Sequence, residues 1–135
     1  MNLSEIAVIV AVRNEEDHVA DCVKSLIVAA KGEAELIFVD DGSTDRTREI
    51  LASYGPRLKV VNGGGRGPGH ARNVGLKVTK RNWIAFTDAD CIVSPDWLEC
   101  LLKGVQHAGD DMASIGGSQL VSSQATNFER VVAQF

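Results

Sequence analysis

The most constraining feature of this sequence is a regular alternation of short strand-like runs with segments of helical period. The first run, Ile6–Val12, contains no polar side chain and is rich in β-branched residues, which is typical of a strand covered on both faces. Similar runs follow at residues 34–39, 58–61 and 83–87, each after a helical segment. This order predicts an α/β fold, namely a Rossmann-like, mostly parallel sheet with helices on both faces and right-handed crossovers.

Helical periodicity and end signals predict four helices between and after these strands. Asn14 is expected to cap the first helix, Gly55-Pro56 to end the second, and Ser94 to cap the fourth, with Pro95 at its first position. The predicted helices span residues 15–30, 45–54, 70–80 and 95–107, a further strand is predicted at residues 112–121, and another helix is expected to begin within residues 127–135.

Length and composition exclude several classes of protein. A chain of 135 residues with 44% apolar and 24% charged residues fits one globular domain covering residues 1–135. The net charge of −4 argues against nucleic acid as a partner. The chain opens without the pattern of a signal peptide and has no apolar stretch of about 18 residues. We therefore expect a cytoplasmic protein, with membrane association only through segments outside this chain.

The three cysteines do not form a recognisable metal or disulfide pattern. Cys22, Cys91 and Cys100 make an odd count, contain no Cys-x-x-Cys pair and show no ligand spacing with a histidine. Reduced thiols are therefore expected. Cys22 and Cys100 lie within amphipathic patterns, so both are predicted to be small packing residues.

Acidic residues follow two of the predicted strands directly. Asp40 and Asp41 come after the second strand, and Asp88 and Asp90 come after the fourth. Ligands of open α/β sheets bind beyond the carboxyl ends of the strands, so these four carboxylates are predicted to surround one crevice. Such a cluster repels itself unless a cation or hydrogen-bond donors occupy it.

The Asp-x-Asp segment is the candidate metal site. One of its carboxylates can hold a divalent ion while the other takes a sugar hydroxyl or a water, because Mg²⁺ commonly uses one or two carboxylates and substrate phosphates. A turn leading into a helix would also account for Asp88-Ala89-Asp90, and so would the nucleophile and acid of an aspartyl phosphatase. The phosphatase hypothesis needs further Lys and Asp motifs downstream, for which little chain remains.

Two loops are candidate contacts to a nucleotide. The segment after Asp41 has the composition of a turn in which Ser43 or Thr44 caps a helix, but a turn does not explain two adjacent aspartates. The glycine-rich loop at residues 63–69 can present backbone amides, together with Arg66 or Arg72, to a diphosphate. It lacks both the Rossmann glycine spacing and the Gly-Lys-Ser/Thr ending of a P-loop, so a merely flexible loop stays an alternative.

Four segments together resemble the family 2 glycosyltransferases of GT-A fold. They are AVRNEE at residues 11–16, VDDGSTD at 39–45, GPGHARNVG at 67–75 and FTDADC at 86–91, in the same order and at similar intervals. The resemblance covers about residues 6–110. It implies a nucleoside-diphosphate-sugar donor, usually UDP-linked, a divalent metal, Mg²⁺ or Mn²⁺, and inverting transfer of the sugar to an acceptor hydroxyl.

The resemblance also implies roles for individual residues. Ala11 and Arg13 would line the base pocket, although the family often has Pro-x-Tyr-Asn or Pro-x-Phe-Asn at this point. Asp40 and Asp41 would contact uracil and ribose. Asp88 would contact the donor, and Asp90 and Asp88 would bind the metal. Arg66 and Arg72 would close over the nucleotide.

The position of the general base is where the chain departs from the family pattern. Family members place this carboxylate well beyond the Asp-x-Asp motif, whereas here only 45 residues follow Asp90. Glu129, Asp110 and Asp111 stand in no matching context, so no base is assigned. The fold is therefore expected to be truncated at its C-terminus, which would allow self-association. The chain is expected to bind UDP but to catalyse little turnover. A non-catalytic nucleotide-binding module is the alternative.

Overall fold

The structure is a computed structural model that describes residues 2–108 and 114–116. A four-stranded parallel sheet forms its centre, in the order β3-β2-β1-β4. The strands are β1 (Ile6–Val12), β2 (Glu35–Asp40), β3 (Lys59–Asn62) and β4 (Trp83–Phe86). They alternate with helices α1 (Val19–Ala30), α2 (Thr47–Ala52), α3 (Pro68–Val78) and α4 (Trp97–His107). The predicted α/β class and parallel sheet are confirmed.

The core has two layers, one on each face of the sheet. Successive side chains of a strand point to opposite faces. Val8 and Val10 accordingly pack in the larger cluster, with apolar residues of α1, α2 and α4. Ala7 and Ile9 pack on the other face with Ala71 of α3. Because both faces of β1 are covered, its sequence is apolar without interruption.

Helix α3 lies very close to the sheet because it presents Gly75 there. A β-carbon on this residue would lie 2.6 Å from Ile9 Cγ2 and 3.3 Å from Val39 Cγ2. This contact places the amino end of α3, and the glycine-rich loop before it, beside the carboxyl ends of β1 and β2. The close packing therefore helps to position the loop.

The predicted starts of α1, α2 and α4 are wrong, and at α1 the residue expected to cap the helix makes long-range contacts instead. Helix α1 begins at Val19, four residues after the predicted start. Asn14 has a φ of 51°, and its Oδ1 accepts from the backbone N–H of Thr44 at 2.7 Å. Ser43 Oγ in turn accepts from the Asn14 N–H at 3.0 Å. The loops after β1 and β2 are thus bonded to each other.

The starts of α2 and α4 are each two residues later than predicted. Helix α2 begins at Thr47 rather than Asp45, whose Oδ1 accepts from the Thr47 N–H at 2.9 Å. Helix α4 begins at Trp97, so Ser94 and Pro95 precede it.

The predicted elements at residues 112–121 and 127–135, and the acidic residues Asp110, Asp111 and Glu129, lie outside the described residues. Among residues 2–108 and 114–116, the helices lack the length and apolar character needed to cross a membrane.

Candidate functional site

Asp40 and Asp41 are both buried, with exposed fractions of 2% and 3%, but they face opposite sides of the sheet. Asp40 is the last residue of β2, and its Oδ2 accepts from Nε of Arg48 on α2 at 2.7 Å. Asp41 contacts the glycine-rich loop on the α3 side. Alternation along an extended chain explains the divergence. The two carboxylates therefore have separate partners, and their contact with a nucleotide stays a prediction.

The ion pair between Asp40 and Arg48 is expected to contribute to stability. The Asp40 side chain is 3% exposed and that of Arg48 is 60% exposed. Replacing Arg48 with alanine leaves a buried carboxylate whose remaining hydrogen bond among the described residues comes from the Ser43 N–H at 3.3 Å. We expect a loss of about 1 to 2 kcal/mol in the free energy of unfolding, less than for a wholly buried pair because water can partly replace the guanidinium.

Urea denaturation measures this loss, and Arg46→Ala is the matched control. Arg46 pairs with Glu49 at 3.5 Å, but both side chains are more than 70% exposed. The control should change stability by no more than about 0.5 kcal/mol. Equal losses in the two variants would contradict the assigned role of the buried pair.

The carboxylate of Asp41 occupies the anion-binding position of the glycine-rich loop. Its Oδ1 accepts from the Arg66 N–H and its Oδ2 from the Gly67 N–H, both at 3.0 Å. Gly67 has a φ of 99°, a conformation that favours glycine and lets successive amides point to one anion. These two amides were predicted to face a diphosphate. They bind Asp41 instead, and the side chain of Arg66 is exposed.

The remaining first-strand candidates lie at the same edge of the sheet. Ala11 is half-buried against the apolar cluster on the α3 face. Arg13 is exposed just beyond the end of β1. Strand β1 lies between β2 and β4, so both residues stand between the two acidic pairs.

Asp88 and Asp90 lie together just beyond β4, with Cys91. One carboxylate oxygen of each aspartate and the Cys91 Sγ all lie within 4.8 Å of one another. The side chain of Asp88 is 64% exposed, and its Oδ1 accepts from Arg72 Nη2 of α3 at 3.3 Å. The two carboxylates thus lie close enough together to approach one cation. This group offers two oxygens and a sulfur to one cation.

The four predicted carboxylates share one edge of the sheet but do not form one cluster. Asp40 and Asp41 are not members of the group formed by Asp88, Asp90 and Cys91. Strand β1 separates the two pairs, and two strand spacings amount to roughly 9 to 10 Å. Arg72 and the loop held by Asp41 belong to one continuous segment, so the start of α3 connects the two acidic sites.

Of the two cysteines predicted to be packing residues, Cys22 is buried and Cys100 is not. Burial, with a smaller effect of Cys91, raises the pKa of Cys22 to about 12. Cys100 is exposed, and its S–H donates to Asp96 Oδ2 at 3.5 Å. Cys91 is half-buried, and burial followed by the charge of Asp90 raises its pKa. Cys91 was not among the predicted site residues, although it directly follows the Asp-x-Asp motif.

Two cavities in the described part of the chain differ in their position relative to the acidic residues. One of about 640 Å³ lies at the amino end of β2 and is lined by Glu35, Lys59 and Arg81, among others. Lys59 and Arg81 there face the single carboxylate of Glu35 at 3.8 and 3.7 Å. A smaller one of about 240 Å³ lies beside Asp40 and Arg48. Only the smaller cavity is at the edge where α/β sheets bind ligands.

Comparison with known proteins identifies the family. The sequence model of glycosyl transferase family 2 matches residues 7–131, which is most of the chain. The chain belongs to this family. The match includes both acidic pairs, the glycine-rich loop and α3, and it supports a transferase over an aspartyl phosphatase.

Individual relatives agree with this assignment. EpsH of Bacillus subtilis is 33% identical over 114 residues, which cover 82% of this chain and 32% of EpsH. The structure of S. aureus TarS in complex with UDP is 28% identical, with a TM-score of 0.68, over 84% of this chain and 38% of that one.

A third relative has been solved with a metal ion. Glucosyl-3-phosphoglycerate synthase from Mycobacterium tuberculosis, in complex with Mn²⁺, UDP and glucosyl-3-phosphoglycerate, is 26% identical. Its TM-score is 0.66 over 76% of this chain and 39% of that one. The fold is therefore of GT-A type, and the chain spans about a third of the length of these relatives.

Proposed function

We propose that this chain forms the nucleotide-sugar-binding part of an inverting glycosyltransferase that binds its donor through a divalent cation. The observation that carries the proposal is the convergence of Asp88 and Asp90 at the carboxyl edge of the sheet. A UDP-linked donor is favoured because both solved relatives described above were obtained with UDP. The sugar is transferred to an acceptor hydroxyl.

The residues beyond β4 fit a divalent cation. Carboxylate oxygens are the ligands that Mg²⁺ prefers, and exposure leaves room for substrate phosphates to complete the coordination. Asp88 already faces the guanidinium of Arg72, whereas no salt bridge among the described residues involves Asp90. Asp90 and Asp88 would hold the ion, and when bound it would supply Lewis-acid stabilisation of the departing nucleoside diphosphate.

Each remaining candidate has a role in binding the donor. Arg72 holds a guanidinium beside the metal site, at the position where a diphosphate would bring its charge. Asp41 orients the glycine-rich loop that carries Arg66, so its effect on the donor is through the loop. Ala11, Arg13 and Asp40 lie at or beside the end of β1, where the base and ribose are proposed to bind. We assign no general base to these residues.

Titration calorimetry of the full chain with UDP tests the proposal. We expect binding heat with Mn²⁺ and little heat after chelation of the metal. Asp90→Asn removes a charged ligand and should weaken metal-dependent binding at least tenfold, about 1.4 kcal/mol. Asp21→Asn changes an exposed carboxylate of α1 outside the cluster and should bind as the parent does.

Two results would count against the proposal. One is UDP binding that is the same with and without metal. The other is no heat with Mn²⁺ at protein concentrations above roughly 100 µM, where even weak binding is measurable. Equal weakening by Asp90→Asn and Asp21→Asn would show that only the net charge matters.

A further inference from the structure

The sulfur of Cys91 lies close to both candidate metal ligands, Asp88 and Asp90. The sulfur is 3.7 Å from Asp90 Oδ1 and within 4.8 Å of an oxygen of Asp88. Metal–ligand bonds are about 2.0 to 2.3 Å long, so two atoms bound to one ion lie no more than about 4 to 5 Å apart. The three atoms can therefore reach one ion with only small side-chain movements.

The turn that carries Cys91 is held from two sides. The backbone carbonyl of Asp88 accepts from the Cys91 N–H at 3.1 Å and from the Cys22 S–H at 3.5 Å. The first bond closes the turn, and the second ties it to the buried face of α1. The two bonds thus hold in place the turn that carries Cys91 beside the carboxylates of Asp88 and Asp90.

The other cysteines do not share this geometry. Cys22 is fully buried and contacts the turn through the Asp88 carbonyl oxygen. Cys100 lies on the exposed side of α4 beside Asp96. Neither belongs to the group that could hold a metal in the described residues. Cys91 is half-buried, as expected for a side chain that lines a site open to a substrate.

We propose that Cys91 Sγ is a third protein ligand of the divalent cation, and that it shifts the preference of the site from Mg²⁺ towards ions that accept sulfur. This inference rests on the proposed function, because it concerns the same ion. A thiolate is a soft ligand that suits Zn²⁺ and neighbouring transition metals, whereas Mg²⁺ prefers oxygen. When the ion binds, the thiol would lose its proton to the buffer, and the resulting thiolate sulfur would coordinate the ion.

Co²⁺ is the probe, because a cobalt–thiolate bond gives a charge-transfer band in the near ultraviolet that carboxylates do not give. We expect this band when the full chain is titrated with Co²⁺ and UDP. Cys91→Ser should abolish the band and weaken Co²⁺ binding at least about tenfold, the scale of losing a partner of a metal site. Mg²⁺ binding should change far less. Cys100→Ser is the matched control and should keep both the band and the affinity.

The outcomes separate this inference from the proposed function. Co²⁺ binding without the band, or a band that survives in Cys91→Ser, would overturn the role of Cys91 and leave the carboxylate site intact. A chain that binds neither Co²⁺ nor Mn²⁺ with UDP would overturn both. Cys91→Ala provides a second test, because it removes any ligand that the serine oxygen could supply, and it should reproduce the loss.

Discussion

Replacement of Asp41 by alanine is expected to lower the free energy of unfolding by about 3 kcal/mol. The carboxylate is 3% exposed and accepts two backbone N–H groups of the glycine-rich loop, each at 3.0 Å. Hydrogen bonds to charged groups contribute about 1.5 to 3 kcal/mol each. The lower end applies here because Arg66 is exposed and Gly67 half-buried, so water can reach the released amides.

Urea denaturation of the variant measures this loss, and limited proteolysis measures its consequence for the loop. Asp41→Asn keeps one acceptor oxygen and should lose about half as much stability. Cleavage within residues 63–67 should become faster in Asp41→Ala, because the loop loses its contact with the sheet. Asp17→Ala, at an exposed aspartate, is the control. A loss below about 1 kcal/mol in Asp41→Ala would contradict the assigned role.

Replacement of Gly75 by valine is expected to cost about 3 kcal/mol or more. Its β-carbon alone would lie 2.6 Å from Ile9 Cγ2, and Ile9 is fully buried in β1. Excess volume in a packed core costs about 1 to 3 kcal/mol, and the two methyl groups of valine add to the clash of the β-carbon, which outweighs the small gain in helix propensity over glycine. Relief of the clash requires α3 to move away from the sheet, so UDP binding should weaken as well.

Two further variants separate the clash from a general effect of replacing glycine in α3. Gly75→Ala should lose less than Gly75→Val, because alanine improves helix propensity by about 1 kcal/mol while it meets the same Ile9 methyl group. Gly69→Ala lies in the same helix and meets nothing within 4 Å, so it should be neutral or slightly stabilising. Equal thermal stability of Gly75→Val and Gly69→Ala would disprove the close contact.

The two acidic motifs were predictable from the sequence to different degrees. The position of Asp88 and Asp90 beyond a strand was predicted, and the structure brings them together as candidate metal ligands. Asp40 and Asp41 were predicted to act as a pair, but the alternation of side chains at the end of β2 turns them to opposite faces. Their assignment to base and ribose stays a prediction, whereas their partners in the protein are now known.

The helix starts show where local patterns fail. Asn14 was expected to cap the first helix, and Ser43 or Thr44 to cap the second. Asn14 and Ser43 instead bond to each other's loops, 29 and 30 residues apart in the chain. A capping preference describes the hydrogen bonds that a side chain can make locally. In the folded chain these side chains instead bond to backbone groups of another loop.

The order of elements, the strands covered on both faces and the edge that carries the polar residues were determined by the sequence itself. These features depend on the period of apolar residues, which is a local property of the chain. Only the tertiary structure decided that Arg48 neutralises Asp40, that loop amides bind Asp41, and that Cys91 joins Asp88 and Asp90. The first two are contacts between segments brought together by folding, and the third depends on the direction of a turn, so no local pattern specifies them.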